Sequence, residues 1–242
     1  AFLSGKLDGM LTDYPGATLL QAKGSRLRLV METDGSLSLI ASKKSNVRNP
    51  DGLKGKNISV SGNTFVEYAT DEVMKRACLH PGEVNKPEIN NIPLRLMMLE
   101  DGQISASFLP GPATAIALND GHTALLNTRQ MGLHCTGIVF SEKAITEKDE
   151  EIRRFITGYN LGVKYLQTHP QNEWTEILVK EFGLQEKAAM QIDLPDYRPA
   201  TRPSYHDIEK IIAWLKSKGA IPDYYPGENL VDTTFIPGTL KP

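Results

Sequence analysis

Apolar residues recur at helical spacing through Phe65, Ala69, Val73 and Ala77, and again through Ile152, Phe155, Ile156, Tyr159, Val163 and Leu166. These stripes predict helices over 64–78 and 147–168. A third stripe, Ile208, Ile211, Ile212 and Leu215, predicts a helix over 204–218. Thr64 with Glu67, and Ser204 with Asp207, have capping-box spacing at two helix starts. Pro170 is placed to end the long helix, and Gly183 and Gly219 to end those over 172–182 and 204–218. Short apolar runs predict strands at 26–31, 58–61, 88–92, 123–127 and 135–141, with a helix over 93–100. Strands alternating with helices predict an α/β fold.

Two stretches 97 positions apart echo one another. Gly5, Pro15 and Gly24 fall where Gly102, Pro112 and Gly121 fall, and Leu7/Ile104, Gly9/Ala106 and Leu11/Phe108 keep the same character. Each copy reads as a strand, a proline-containing turn, a helix closed by glycine and a second strand, as expected of two similar α/β lobes. About 45 residues of strands and helices precede the repeated glycine in the second copy, but only Ala1–Ser4 precede it in the first. Either the first lobe is built differently or the chain begins within it. The second reading is favoured, with Ala1–Ser4 as the last turn of a helix matching 97–101.

Composition narrows the picture. The 242 residues suffice for one large domain or two small ones. With 27 basic and 29 acidic side chains there is no electrostatic footprint for nucleic acid. Cys78 and Cys135 lack partners at metal-ligand spacing and read as two buried thiols, a disulfide being the alternative. No apolar run is long enough to span a membrane, and residues 1–20 do not have the order of a signal peptide. The five histidines are scattered, and no histidine, carboxylate and nucleophile set assembles from sequence. Lys43-Lys44 and the charge run from Glu147 to Arg154 read as solvated faces.

The succession from Leu3 to Pro15, Leu53 to Ser61, Asp101 to Ile104 and Leu109 to Thr114, with the endings Ala213 to Gly219 and Val231 to Pro237, resembles the solute-binding proteins of ABC transporters in the nitrate/sulfonate/taurine and thiamine-pyrimidine-precursor group. That resemblance implies a periplasmic binding protein-like, type II α/β fold: two similar lobes joined by two crossovers, with a ligand cleft between them. The crossovers are expected near Ser42 to Arg48 and Leu133 to Ser141. Lobe 1 is expected over 1–45 and 136–242 without its N-terminal strand-helix unit, and lobe 2 over 46–135. It also implies a periplasmic protein or extracytoplasmic lipoprotein that acts as a monomer. Its partners would be a small sulfonate, nitrate or pyrimidine-type ligand and a membrane-embedded ABC permease, with no cofactor or metal. The alternatives are an enzyme like the related pyrimidine synthase, and a ligand sensor. Against the enzyme, the cysteine-rich iron motif associated with that chemistry has no counterpart here.

In open α/β sheets ligands settle beyond the carboxyl ends of strands. Three such ends supply candidates. The turn Ser61, Gly62, Asn63 and Thr64 offers backbone amides at a helix start, suited to a sulfonate, phosphate or carboxylate, or is simply a cap and a turn. Asp13 reads as a ligand acceptor or as a helix N-cap, and Tyr14 as an aromatic wall. Thr33, with Asp34, Gly35 and Ser36, follows another strand and lines the same cleft or forms a plain hairpin turn. Pro110 and Gly111 complete the set.

Overall fold

In the computed structural model, which describes residues 1–183, 185–190 and 194–236, the strand and helix that open the repeat recur at the same 97-residue offset. Strand β1 (Gly9–Asp13) and helix α1 (Tyr14–Ala22) lead through Gly24 to β2 (Leu27–Thr33). Ninety-seven residues later β5 (Ala106–Pro110) and α4 (Gly111–Asn119) lead through Gly121 to β6 (Thr123–Asn127). The glycines match in conformation: Gly5 and Gly102 have φ of +71° and +76°, Gly24 and Gly121 of +92° and +86°, the left-handed region that favours glycine at helix ends. The turn at the start also matches its counterpart. Gly5 N and Lys6 N donate to Phe2 O and Ala1 O, as Gly102 N and Gln103 N donate to Leu99 O and Met98 O.

The strand after each copy pairs in the other unit's sheet. Strand β3 (Leu37–Ala41) lies antiparallel between β5 and β6, and β7 (Thr136–Ser141) antiparallel between β1 and β2. Registers correspond: Thr136 faces Asp13 as Leu37 faces Pro110. The sheets are ordered β1-β7-β2 and β4-β5-β3-β6, with β4 (Ile58–Ser59) parallel to β5.

The chain accordingly divides into one unit of 1–35, 134–169 and 196–236 and a second of 36–133 and 170–195, within the described residues. The first boundary falls at Gly35/Ser36, ten residues before the expected 45/46, because β3 already pairs in the second sheet. The other falls at Leu133/His134 rather than 135/136. Residues 170–195 belong to the second unit, not the first. Leu178 and Val179 of α7 (Gln171–Phe182), and Ala189 of α8 (Glu186–Met190), pack against Ala115 of α4.

The first core joins Val30, Met31 and Phe140 to Ile152 and Ile156 of α6 (Asp149–Thr168), and to Phe235 and Ile236. The second joins Ile40, Ile104 and Leu109 to Ala113, Ala117 and Leu99 of α3 (Ile92–Asp101). Three local expectations change. The long helix over 147–168 is broken at Lys148 (φ −133°, ψ 41°), separating α5 (Glu142–Glu147) from α6. The strand over 88–92 is only a single parallel bridge, Val60 with Glu88, since α3 starts at Ile92. Cys78 is exposed rather than buried, while Cys135 is buried; both are free thiols.

Helix α2 (Phe65–Arg76) is capped by Thr64, and α9 (Tyr205–Ser217) by Ser204. Among the described residues no helix is long and apolar enough to cross a membrane. Pro237, the last residue of the family-like ending, lies outside the described residues.

Candidate functional site

At the carboxyl end of β1, Asp13 is the N-cap of α1 and accepts a hydrogen bond from Gly16 N at 2.7 Å. Gly16 permits this, because a Cβ there would lie 2.8 Å from the Asp13 carboxylate. Tyr14 is fully buried and donates its hydroxyl to Glu32 Oε2 at 3.1 Å. Burial first, then the Glu32 charge, pushes the phenol far above its usual pKa, so it stays a donor. Asp13 thus takes the helix N-cap of its two readings, and the aromatic wall expected at Tyr14 is corrected: it is a core residue that holds Glu32.

At the end of β2 the structure joins Asp34, of the 33–36 stretch named from sequence, to Glu32 and Arg198, which sequence reading missed. Glu32 and Asp34 are both buried, and both pair with Arg198, 166 and 164 residues further on. Arg198 Nη2 lies 2.8 Å from Glu32 Oε1 and 2.6 Å from Asp34 Oδ1, and its backbone N–H donates to Asp34 Oδ2 at 2.8 Å. Burial disfavours the guanidinium charge, but the hydrogen bonds to Asp34 and Glu32 outweigh it and raise the pKa. His134 completes a set whose donor atoms lie within 4.8 Å of one another with those of Glu32 and Asp34. A metal ion there would have to displace Arg198. All four carboxylate oxygens accept: Glu32 Oε1 and Oε2 from Arg198 Nη2 and the Tyr14 hydroxyl, and Asp34 Oδ1 and Oδ2 from Arg198 Nε and N. Thr33 sits beside them, donating to Thr136 Oγ1 at 2.9 Å while Thr136 Oγ1 donates back to Thr33 O at 3.0 Å. No hairpin forms there; the chain leaves for the second sheet.

In the second unit the Ser61–Thr64 turn is largely satisfied from within. Asn63 N donates to Glu67 Oε2 at 2.7 Å, Val66 N to Thr64 Oγ1 at 3.2 Å, and Thr64 Oγ1 to Ser61 O at 2.7 Å. Ser61 Oγ donates to Asn90 Oδ1 at 2.6 Å, and Asn90 Nδ2 to Glu88 Oε1 at 3.0 Å. A Cβ at Gly62 would lie 2.8 Å from that Glu88 oxygen, so a larger residue there would push the carboxylate aside. The expectation of unpaired amides is thus overturned at Asn63 and Val66. Glu67 and Glu88 make the turn rich in acceptors, with Lys86 balancing Glu67 at 3.3 Å and Asp71 at 2.7 Å.

Pro110 and Gly111 begin α4 differently. Pro110 is an N-cap without a side-chain hydrogen bond, and a Cβ at Gly111 would meet nothing within 4 Å. Gly111 and Thr114 border a hollow of about 40 Å³ with Ser36, Ser38 and Arg129. Thr114 uses its hydroxyl to donate to Leu109 O at 3.1 Å. Sequence named the strand ends, but Glu32, Arg198, Glu88 and Asn90 come from distant segments and carry no local signal.

Comparison with solved structures agrees with this architecture. The periplasmic aliphatic sulphonate binding protein SsuA of Escherichia coli superposes with a TM-score of 0.81 at 14% identity, over 100% of this chain and 81% of that one. The Candida albicans CA3427 gene product, described as having the generic periplasmic binding protein fold, gives 0.67 at 15% identity over 96% and 81%. The desulfurization enzyme DSZB gives 0.64 at 11% over 94% and 83%. At these identities the likeness establishes the fold, that of periplasmic binding proteins. No curated protein sequence matches this chain. A family model described as NMT1/THI5 like matches residues 1–173, well over half of the sequence, and the chain belongs to that family.

Proposed function

We propose that the protein is the solute-binding component of an ABC import system. It captures a small anionic or heteroaromatic molecule of the sulfonate, nitrate or pyrimidine type outside the cytoplasm, and delivers it to a membrane-embedded permease. The observation that carries the reading is the repeated β-α-β unit whose following strand is exchanged between two sheets, in a fold shared with a sulphonate binding protein. Polar groups gathered at strand ends support it. Glu32, Thr33, Asp34 and Arg198 do so in the first unit, and Ser61–Thr64 with Glu88 and Asn90, then Pro110 and Gly111, in the second. Binding and release need no covalent step, and the protein acts as a monomer.

The second reading is an enzyme like the pyrimidine synthase, favoured by the NMT1/THI5-like family and the likeness to DSZB. A sensor using the same residues is a third. A thermal-melt and calorimetric panel of sulfonates, nitrate, aromatic carboxylates and pyrimidines separates the first two. A ligand at ~100 times its Kd adds roughly 2.7 kcal/mol, a rise of about 5–10 °C in Tm for a chain of this size. Saturable 1:1 binding without product supports the carrier. Turnover of any member of the panel overturns it in favour of the enzyme.

A further inference from the structure

Among the described residues Arg95 is the buried arginine of the second unit, and no carboxylate pairs with it. It is 3% exposed on the first turns of α3. Its Nη1 donates to Phe108 O at 2.9 Å and, more weakly, to Ser107 Oγ at 3.4 Å. Nε is sealed from solvent with no partner, and among the described residues Arg95 forms no ion pair. A guanidinium carries five donors, and a buried one without a carboxylate is costly. Its place near the N-terminus of α3 adds to the cost, since that helix end is itself partly positive. Its surroundings supply further donors rather than a countercharge. Ser59 and Ser107 are register partners of the parallel β4-β5 pair, so their side chains share a face. Ser107 Oγ donates to Ser59 O at 3.2 Å, whereas Ser59 Oγ, fully buried, has no partner. These residues stand where β4 and β5 run out towards Ser61–Thr64 and Pro110-Gly111.

We infer that Arg95, with the hydroxyls of Ser59 and Ser107, is a subsite for the oxyanion head group of a small organic acid, a sulfonate or carboxylate. The inference rests on the solute-binding reading and moves the anion from the amides of the 61–64 turn to the guanidinium behind it. The acceptor-rich turn, with Glu67 and Glu88, is then left for donor groups on the same ligand. An oxyanion supplies the countercharge that Arg95 lacks and an acceptor for Ser59 Oγ at once.

The test compares methanesulfonate, acetate and sodium chloride at matched ionic strength by thermal melts and calorimetry, on wild type, Arg95→Gln, Ser59→Ala and Ser107→Ala, with the uncharged pyrimidines of the panel as a control. The expected result is that methanesulfonate or acetate raises the wild-type Tm beyond chloride with saturation, and that Arg95→Gln weakens that binding at least tenfold. Should Arg95→Gln fail to fold, Ser59→Ala is expected to weaken it several-fold. Anions no better than chloride overturn the inference, as does anion binding that survives in every variant that folds. If uncharged pyrimidines bind while anions do not, the carrier reading stands and this subsite alone fails. If nothing in the panel binds, the carrier reading fails with it.

Discussion

Strands β1 and β5 occupy the same place in the two copies of the repeat, yet their side chains meet different surroundings. Strand β5 is flanked by β4 on one edge and β3 on the other, while among the described residues β1 pairs with β7. Leu11 is 67% exposed where its counterpart Phe108 is fully buried, and Leu7 is 47% exposed where Ile104 is 1%. The apolar pattern is the same in both stretches. Burial is therefore a property of the neighbours a strand acquires, not of its own periodicity. The charged groups differ in the same way: the first unit buries two carboxylates and pairs them with Arg198, and the second buries Arg95, which pairs with no carboxylate among the described residues.

The largest expected effect tests the strand comparison directly. Phe108→Ala should cost about 3–5 kcal/mol, since it empties a packed site, and Leu11→Ala about 0.5 kcal/mol or less, since that side chain already faces water. Urea denaturation of the two variants reads the difference, and equal losses would break the comparison. Next comes the answered acidic pair. Arg198→Met should destabilise by about 2 kcal/mol, the 3–5 kcal/mol of a broken buried pair reduced because about half of the Arg198 side chain is exposed. Adding Glu32→Gln and Asp34→Asn to Arg198→Met should recover part of that loss.

Helix ends give a smaller effect. The repeat places glycine in the left-handed position after each copy, whereas α2 ends on Cys78 at φ +52°, with Leu79 N donating to Met74 O in the same closing pattern. Cys78→Gly should raise stability by about 0.5–1 kcal/mol by removing that strain, seen as a Tm higher by ~1–4 °C. A fall in Tm would mean that the thiol makes up for its backbone. The smallest effect is a pH slope. His122, the counterpart of half-buried Ser25, is buried and accepts at Nδ1 from Lys43 N at 3.1 Å, which leaves the proton of the neutral ring on Nε2 facing Glu100. Burial lowers its pKa, and the Glu100 charge only partly opposes this. Because the folded pKa lies below the unfolded value of about 6.5, the unfolded chain takes up the proton first. The contribution of His122 is complete above ~6.5 and declines as pH falls towards the folded value. Urea melts between pH 5 and 8 should show that decline, flattened in His122→Gln.

The repeat was legible because helix caps, left-handed glycines and short apolar runs act within one or two turns of chain. Thr64, Ser204, Gly24, Gly102 and Gly121 could therefore be placed from their neighbours in sequence. Tyr14 shows the limit: its position after a strand suggested a ligand wall, and only the packing of β2 and β7 around it turned it into a support for Glu32. The split at Lys148 and the transfer of 170–195 to the second unit were likewise set by what those helices pack against.

By itself the sequence determined the α/β class, the doubled unit, the helix ends and the strand ends where polar groups gather, all of which follow from local backbone preference and periodicity. Tertiary structure alone decided that Arg198 answers Glu32 and Asp34, that Glu88 lies under Gly62, and that Arg95 is buried without a carboxylate. The physical reason is that hydrogen bonds and charge pairs act over a few ångströms in space, and the partners they join stand up to 208 residues apart in the chain.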